Sequence, residues 1–579
     1  MATNNDIADR LEEFADLLEA MDVEYKPRAY QRAAESVTGA SVSVEGLAAE
    51  GQDAVAELED VGEAISAKIV EYVETGTIEE LEDLREELPV EMAALTAVEG
   101  VGPKTVASLY EALDVRTLDD LEAAAEAGEI QTVSGFGQKT EQNIRDNIDF
   151  AREAHERQLL SRALPRGERV REFLESVDAA EQVELAGSLR RRKPTIGDID
   201  ALVGSVEQEA VVETFTDWEA KEEVIEAGSN KASLRYGDVR VDLRVVDPAE
   251  FGAALQYFTG SLDHNISVRN RALDRDQKVN EYGVFDVSGV EDPDAGQRVG
   301  ERLAGESEEE VYDALDMAWV PPELREDRGE VAASAAGDLP DLVTAEAVRG
   351  DLHVHTTWSD GSVSIAEMVE AAAEFGHDYV GIADHATGPG MVGGVGLSDE
   401  EIIDQVAEIR EVAREADIEV LAGIEANIHA DGEISVGDET LDALDVVVAS
   451  PHSALDGDGT DRLVAAAEHP AVDVIGHPTG RKLNQRPGLT VDVERLASVA
   501  ADHGTALEVN ADPHRLDLRG RDVQTALEAG ATVVVNTDAH APSSLDYLRH
   551  GVATARRGWA EVDDVLNTAG PADLREWLD

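Results

Sequence analysis

The chain has 579 residues, and its 48 Lys and Arg stand against 124 Asp and Glu, a formal charge of −76. At roughly 100 to 200 residues per domain, this length makes several domains and excludes a single small binding module. The charge excludes unaided attraction to anionic membranes or bare DNA phosphate, and the absence of cysteine excludes disulfides, thiolate metal sites and cysteine nucleophiles.

Aromatic residues make up only 4% of the chain, but 42% hydrophobic content and recurrent apolar periodicity predict a folded protein with its excess charge on the surface. Nine lysines against 39 arginines, on so acidic a chain, resemble the composition of proteins from halophilic prokaryotes, archaea foremost. In ~1 M salt the Debye length is about 3 Å, so such carboxylates hardly repel a polyanion. The start, MATNNDIADR, has neither a basic segment nor an apolar core, and no apolar run reaches the ~18 residues of a membrane span. The expectation is a soluble, cytoplasmic, monomeric protein that binds no membrane.

Residues 1–150 carry helical apolar spacing broken by glycine turns. Three weakly repeated segments, 58–69 (LEDVGEAISAKI), 97–109 (AVEGVGPKTVASL) and 132–144 (TVSGFGQKTEQNI), each read as helix, tight turn, helix. Gly100 and Gly102, then Gly135 and Gly137, let the second helix begin with bare backbone N–H groups facing outward, which suits a phosphate oxygen. A single such turn serves equally as a plain helix cap. Three copies favour phosphate, as does the placing of Lys68, Lys104 and Lys139 just past the turns. The first copy has Asp60 where a glycine is expected.

Residues 183–246 switch to short alternating strands. In VELAGSLRRRKPTIGDIDALVG (183–204) a strand ends at Gly187-Ser188, and the next opens with Asp198 and Asp200, two apart and therefore on one face. The later DVRVDLRVV (238–246) puts Arg240, Asp242 and Arg244 on one polar face, so Asp242 completes a three-carboxylate cage of the kind that Mg²⁺ or Mn²⁺ neutralises. An Asp-x-Asp pair alone is common in so acidic a chain; the ordered set is not.

Segments 256–273 (QYFTGSLDHNISVRNRAL), 280–285 (NEYGVF) and 309–330 (EEVYDALDMAWVPPELREDRGE) are similar to the nucleotide-binding subdomain of family X DNA polymerases. With the hairpins, the resemblance spans residues 1–330. It implies a nucleotidyltransferase palm in which Asp198, Asp200 and Asp242 hold two metals and are the catalytic carboxylates. Ser188 and Arg191 would contact the triphosphate, and Tyr257, Phe258 and Gly260 would lie against the sugar. Asn265 would reach the base and Arg269 the template strand. The implied reaction is in-line attack of a primer 3′-oxygen on a dNTP α-phosphate, needing no protein nucleophile. Family members with lyase activity use a Schiff-base lysine where Lys68 falls, with Lys26 as a companion for the 5′-phosphate; Lys68 equally fits a solvated helix position beside Ile65, Ile69 and Tyr72.

Twelve of the 14 histidines lie after residue 350, beyond an Ala-rich stretch, 331–350, that reads as a linker. Strands near 351, 380, 420, 446, 472, 506 and 532 alternate with helical stretches, as in a βα barrel of seven strands. Polar residues cluster at their ends: His353, His355 and Asp360; Ala383-Asp384-His385; Glu425; His452; His477; Asp538 and His540. A barrel's active site lies at that rim. These motifs resemble the PHP (polymerase and histidinol phosphatase) domain, which implies that His353, His355, Asp360, His385, Glu425, His452, His477, Asp538 and His540 ligate up to three Zn²⁺ or Mn²⁺ and direct an activated water at phosphorus.

The predicted fold is multidomain: a helical lyase-like region with the first hairpin (1–88), a helix-hairpin-helix region (89–150), an α+β palm (151–250), a nucleotide-binding subdomain (251–330), the linker, and a distorted (βα)7 PHP barrel (351–579). The expected function is gap-filling repair synthesis, as in base excision repair, on gapped or primer-template DNA with dNTPs, coupled to 3′-5′ exonuclease or phosphoesterase activity. The alternatives are a nuclease or phosphatase whose silent palm only binds DNA, and a small-molecule phosphatase. The charge generates a direct expectation. The thermal midpoint should rise steeply between about 0.1 M and about 3 M KCl, as the Debye length falls from ~10 Å to below ~3 Å. A midpoint indifferent to salt over that range would refute the surface-charge reading.

Overall fold

The helical spacing of the first 150 residues produces helices in the structure, a computed structural model that describes every residue except 1–3, 24–25, 40–42, 59, 99, 156, 238, 391–394 and 579. The chain divides into two compact units, residues 1–157 with 482–487, and the remainder.

In the first unit the apolar stripes of successive helices bury Ile7, Leu11, Phe14, Ile69, Leu81, Leu95 and Leu121 in one core. The first two glycine turns connect Gln52–Val55 to Glu63–Thr75, and Met92–Thr96 to Pro103–Leu113. The third differs from expectation, because its leading arm is a single 3₁₀ turn, Ile130–Thr132, before the helix Gln138–His155. That helix also carries through residue 150, so the boundary expected there falls inside a continuous element.

The second unit begins with β1 (Gln158–Leu159), β2 (Gln182–Leu185), β3 (Thr195–Ile196), β4 (Asp198–Gly204), β5 (Glu223–Ala227), β6 (Lys231–Tyr236) and β7 (Val239–Val246). Five of these form a mixed sheet in the order β2-β4-β7-β6-β5, in which β4 and β7 are parallel and the other neighbours antiparallel. The alternation of β7 is realised: Val239, Val241, Leu243 and Val245 are buried, while Arg240, Asp242 and Arg244 lie on the more open face. Helices Phe251–Thr259 and Leu262–Leu273 follow, with the three-stranded sheet of β8 (Gln277–Asn280), β9 (Gly283–Asp286) and β10 (Glu301–Ala304).

The last seven strands are β11 (Gly350–Val354), β12 (Tyr379–Ile382), β13 (Glu419–Asn427), β14 (Val446–Ser450), β15 (Val474–Ile475), β16 (Ala506–Asn510) and β17 (Val533–Asn536). They run parallel in sequence order. The ends approach closure through a bridge between Val354 and Ala539 and through side chains: Asn536 Oδ1 accepts from the Leu352 N–H at 3.0 Å, and Asp351 Oδ2 accepts from the Thr537 N–H at 3.0 Å. Along one side of the strands, Leu421, Val446, Val448, Val474, Ala506 and Val534 form an apolar layer. Strand period two then puts Glu425, Ser450, Glu508 and Asn536 on that same side, nearer the C-terminal rim. The intervening Ile424, Val447, Leu507 and Val535 pack in the core beneath the helices.

Residues 331–350 are not the free linker that their alanine content implies. They continue a helix, Glu330–Ala336, and then bury Leu342, Val343 and Val348. The Val343 N–H donates to the Ala560 carbonyl at 2.9 Å and that of Asp341 to Glu561 at 2.8 Å. Small residues here allow close packing rather than slack, because the few large apolar ones each find a core.

A buried ion cluster joins the palm to the segment after it. Both carboxylate oxygens of Glu308 accept from Arg190 at 2.8 Å, and Oε1 also accepts from the fully buried Arg325 at 2.7 Å. Burial opposes the charge on Glu308, but Arg325 and Arg190 outweigh it and hold the carboxyl down at about 2. Its stabilisation is thus complete above the ordinary Glu range and is lost as pH falls from there through about 2. Glu308→Ala, which strands the buried Arg325, should cost about 3–5 kcal/mol. Thermal or denaturant unfolding at neutral pH checks this; a change under ~1 kcal/mol would contradict it.

Candidate active sites

The palm constellation follows from strand register. Because β4 and β7 are parallel with Asp200 opposite Asp242, and Asp198 lies two residues before Asp200, all three carboxylates reach one place. They offer oxygen atoms within 4.8 Å of one another. Gly187 makes room for them: its φ is +61°, and a Cβ there would lie 1.9 Å from Asp200 Oδ2. Asp242 is oriented by the Ser233 hydroxyl and by Arg240 Nε at 2.8 Å. Burial first, then Asp198 and Asp242, push the Asp200 carboxyl up to about 7. Three crowded carboxylates with one reluctant to ionise fit a divalent cation, which supplies the missing positive charge.

Around this trio, Ser188 lies on the short helix Gly187–Arg190, and Arg191 caps that helix. Arg191 donates from Nε to Glu326 at 3.1 Å and from Nη1 to the Thr259 carbonyl. Gly260 lies directly beyond, where a Cβ would come 3.2 Å from Arg191 Nη1. The rings of Tyr257 and Phe258 meet edge to face at 5.2 Å, and Arg244 stacks over Phe258. The Asn265 amide is held within the protein, donating to the Tyr257 carbonyl at 2.7 Å and accepting from Gln256 at 2.8 Å, so a base must compete for it. Arg269 is exposed on the same helix.

In the hairpins, Gly100 and Gly135 adopt φ of +84° and +96°, and Asp60 follows them at +54°. The aspartate therefore makes the same turn that glycine makes in the other two copies. Gly62, Gly102 and Gly137 precede the second helices, and a Cβ on any of these three, or on Gly100 or Gly135, would meet open space. Lys104 pairs with Asp22 at 2.9 Å, and Lys139 is exposed. Lys68 is neither free nor simply solvated: its ammonium pairs with Glu80 and lies 5.0 Å from the Phe14 ring centre. Lys26 is exposed at the start of its helix.

At the barrel rim the nine predicted side chains converge. Glu425 Oε1 stands 2.9 Å from His477, 3.3 Å from His452 and 3.4 Å from His353, while Oε2 faces His385 at 2.5 Å. Asp538 Oδ1 is 3.0 Å from His355, and Asp360 is 3.3 Å from both His385 and His540. Three groups of possible ligands overlap: His355, Asp360, His385 and His540; His353, His355 and Glu425; His385, Glu425 and His452. Burial and the neighbouring His540 and His385 push His355 down to about 3. Burial acts likewise on His385, but Glu425 and Asp360 outweigh it and hold that imidazole up at about 10. Among the described residues, His353 Nε2, both His355 ring nitrogens, His452 Nε2 and Glu425 Oε2 are buried without a hydrogen bond. Orphaned donor atoms converging on one place fit metal ions, which such nitrogen and carboxylate sets bind.

Residues that hold these side chains were given no role by the sequence, although Asp384 stood among its clustered polar residues. Glu508 accepts from His353 Nδ1 at 2.7 Å and from the His477 N–H at 2.6 Å, and Asn427 faces His452 Nδ1 at 2.7 Å. Asp384 gathers Thr356, Ser359 and Gln405 around the loop that carries Asp360. Arg515 lies 3.5 Å from Asp538 with its Nε buried and unbonded. Such outer partners fix the ring orientation of the ligands. A signal existed, since Glu508 and Asn510 are polar residues two apart in the otherwise apolar ALEVN.

Comparison with known proteins agrees with this geometry. A helix-hairpin-helix domain matches residues 2–78, a SAM-like helix-hairpin-helix tandem 92–148, the DNA polymerase beta thumb 254–326, and the PHP domain 351–512. The chain is 34% identical over 564 residues to the DNA polymerase/3′-5′ exonuclease PolX of Bacillus subtilis (strain 168), covering 96% of each chain. Its C-terminal part is 30% identical over 238 residues to a probable phosphatase of Shewanella sp. (strain MR-4), covering 39% of this chain and 89% of that one. The chain belongs to the family X DNA polymerases that carry a PHP domain.

The raised Asp200 carboxyl has a measurable consequence. Below pH about 7 a proton competes with the cation, so Mg²⁺ affinity at the palm should fall by up to about tenfold per unit as pH drops from there. Calorimetry on the unaltered chain and on Asp200→Asn isolates the palm contribution. A palm affinity constant from pH 8 to pH 5.5 would refute the assignment.

Proposed function

We propose that this chain is a DNA repair polymerase that adds dNTPs to a primer 3′ end in short gaps, and that its barrel centre hydrolyses phosphoesters at 3′ ends. The carrying observation is that one chain assembles both a three-carboxylate palm and a barrel rim on which nine His, Asp and Glu side chains converge. Mg²⁺ or Mn²⁺ at the palm and up to three Zn²⁺ or Mn²⁺ at the rim would neutralise charge on the reacting phosphate and activate the attacking oxygen.

The chain's own residues do the rest. Asp198, Asp200 and Asp242 would hold the cations that the transfer needs. Arg191 and Ser188 meet the triphosphate, Tyr257, Phe258 and Gly260 the sugar, and Arg269 the template strand. The hairpins take backbone phosphates through N–H groups rather than cationic side chains, which suits an acidic protein working in a salt-rich cytoplasm as a monomer. At the rim, Glu425 lies among the histidines and with them would hold the ions, and Glu508 and Asn427 keep the His353 and His452 rings aimed. A silent palm has against it the intact carboxylate trio and the glycine that seats it.

The two reactions should be separable. Asp242→Ala should lower primer extension by at least about a hundredfold while 3′-end hydrolysis persists, and His355→Ala with Glu425→Ala should do the reverse. Both reactions are followed on one labelled gapped DNA, with folding verified by circular dichroism in high KCl. Loss of hydrolysis in Asp242→Ala, or of synthesis in the double variant, would point to a shared active site instead.

A further inference from the structure

The run Arg190-Arg191-Arg192-Lys193 is the densest cationic stretch of an otherwise acidic chain. Arg191, the residue placed at the triphosphate, does not stand free. Its Nε donates to Glu326 Oε1 at 3.1 Å, and Lys193 reaches Glu326 Oε2 at 3.6 Å. A third cation comes from the barrel domain. Arg557, the last residue of the helix Leu548–Arg557, donates through Nη1 to the Arg191 carbonyl at 2.6 Å and to Glu326 Oε1 at 3.2 Å. The backbone carbonyl of Arg557 in turn accepts from Arg328. The side chains of Arg191, Glu326 and Arg557 are 11%, 15% and 11% exposed, so this is a seated cluster and not a surface pairing.

We propose that Arg557 is a positioning residue of the polymerase nucleotide site, acting on Arg191 through Glu326, so that the phosphoesterase domain supplies part of the dNTP-binding machinery. The proposal rests on the polymerase reading above. Two physical effects combine. Arg557 anchors the carbonyl of the turn that presents Arg191, fixing where that side chain starts. It also shares Glu326: when Arg191 turns toward a triphosphate, the carboxylate it leaves still faces Arg557 and Lys193 and is not stranded. Without Arg557, Glu326 would grip Arg191 more tightly and compete with the nucleotide. Burial opposes the charge on Glu326, yet Arg557, Lys193 and Arg191 together keep its carboxyl below the ordinary range, in keeping with a carboxylate that has cations to spare.

The helix that ends in Arg557 is firmly seated on the barrel. A Cβ on its Gly551 would fall 2.6 Å from both Ala511 and Val535, at the ends of β16 and β17. Arg557 is therefore held by the same strands that carry Glu508 and lead to Asp538, and its position is not adjustable by the palm alone.

The test is steady-state dNTP incorporation on gapped DNA by the full chain, comparing Arg557→Ala, Glu326→Gln, the double variant and Arg191→Ala. Arg557→Ala should raise the dNTP KM about tenfold with kcat changed less than about threefold, and 3′-end hydrolysis should stay intact as the check on folding. Adding Glu326→Gln should return most of the KM, because the competitor for Arg191 is then neutral; a residue that merely glued two domains together would show further loss instead. If Arg557→Ala does not fold, Glu326→Gln alone decides, since it should lower the KM and a rise overturns the relay. An unchanged KM in Arg557→Ala, with Arg191→Ala impaired, overturns the inference while leaving the polymerase reading intact. An unchanged KM in Arg191→Ala removes the triphosphate role itself, and the proposal with it.

Discussion

Glu425 is fully buried, and five histidines, 353, 355, 385, 452 and 477, stand within 4 Å of its carboxylate. A carboxylate taken out of water must find positive charge close by or give up its own charge. At the barrel rim the histidines answer that demand: burial opposes the charge on Glu425, but His452, His385 and His353 outweigh it and hold the carboxyl well below its ordinary range, while several ring nitrogens among the described residues keep no hydrogen bond. The architecture of the barrel serves this one requirement, because seven parallel strands bring their C-terminal ends, and so their rim residues, into a single ring. The layer of valine and leucine beneath excludes water from below.

The palm faces the same demand with fewer means. Its three carboxylates have Arg240 on one side but no ring of histidines, and Asp200 meets the deficit by keeping a proton up to about 7. The two centres thus differ in physical kind. The rim is a pocket of imidazole nitrogens and carboxylates, and the palm a cage of carboxylate oxygens alone.

Cations are scarce in a chain of charge −76, and inside the second unit two carboxylates each gather more than one of them. Arg190 and Arg325 meet at Glu308; Arg191, Lys193 and Arg557 meet at Glu326. These two carboxylates are the joints of the molecule, the first between the palm and the segment after it, the second between both of these and the barrel. Buried pairs of this sort contribute specificity of arrangement more than stability, since the cost of desolvation offsets most of the attraction. The first unit offers another kind of feature, glycine turns after which helices begin with backbone N–H groups, a geometry that can hold a phosphate without a local excess of positive side chains.

Local pattern determined much of this from sequence. Period-two alternation fixed the palm strand that carries Asp242; the spacing of apolar runs located all seven barrel strands; and the repeated Gly-x-Gly segments marked the hairpins, because each of these signals lies within a dozen residues of chain. The rim side chains were legible because polar motifs follow the apolar strands, and the likeness to the PHP domain picked the nine out of them, Asp360 in the loop beyond β11 included. Only the tertiary structure decided that Lys68 is paired with Glu80, that Asp60 adopts glycine's left-handed turn, and that the alanine-rich stretch packs as core. It alone brought Glu508 to His353 and Arg557 to Arg191, residues 155 and 366 positions apart. Spacing within a strand or helix is set by covalent geometry and survives in any fold, whereas the partner of a buried charge is set by which distant elements the hydrophobic core brings together, and no local signal carries that.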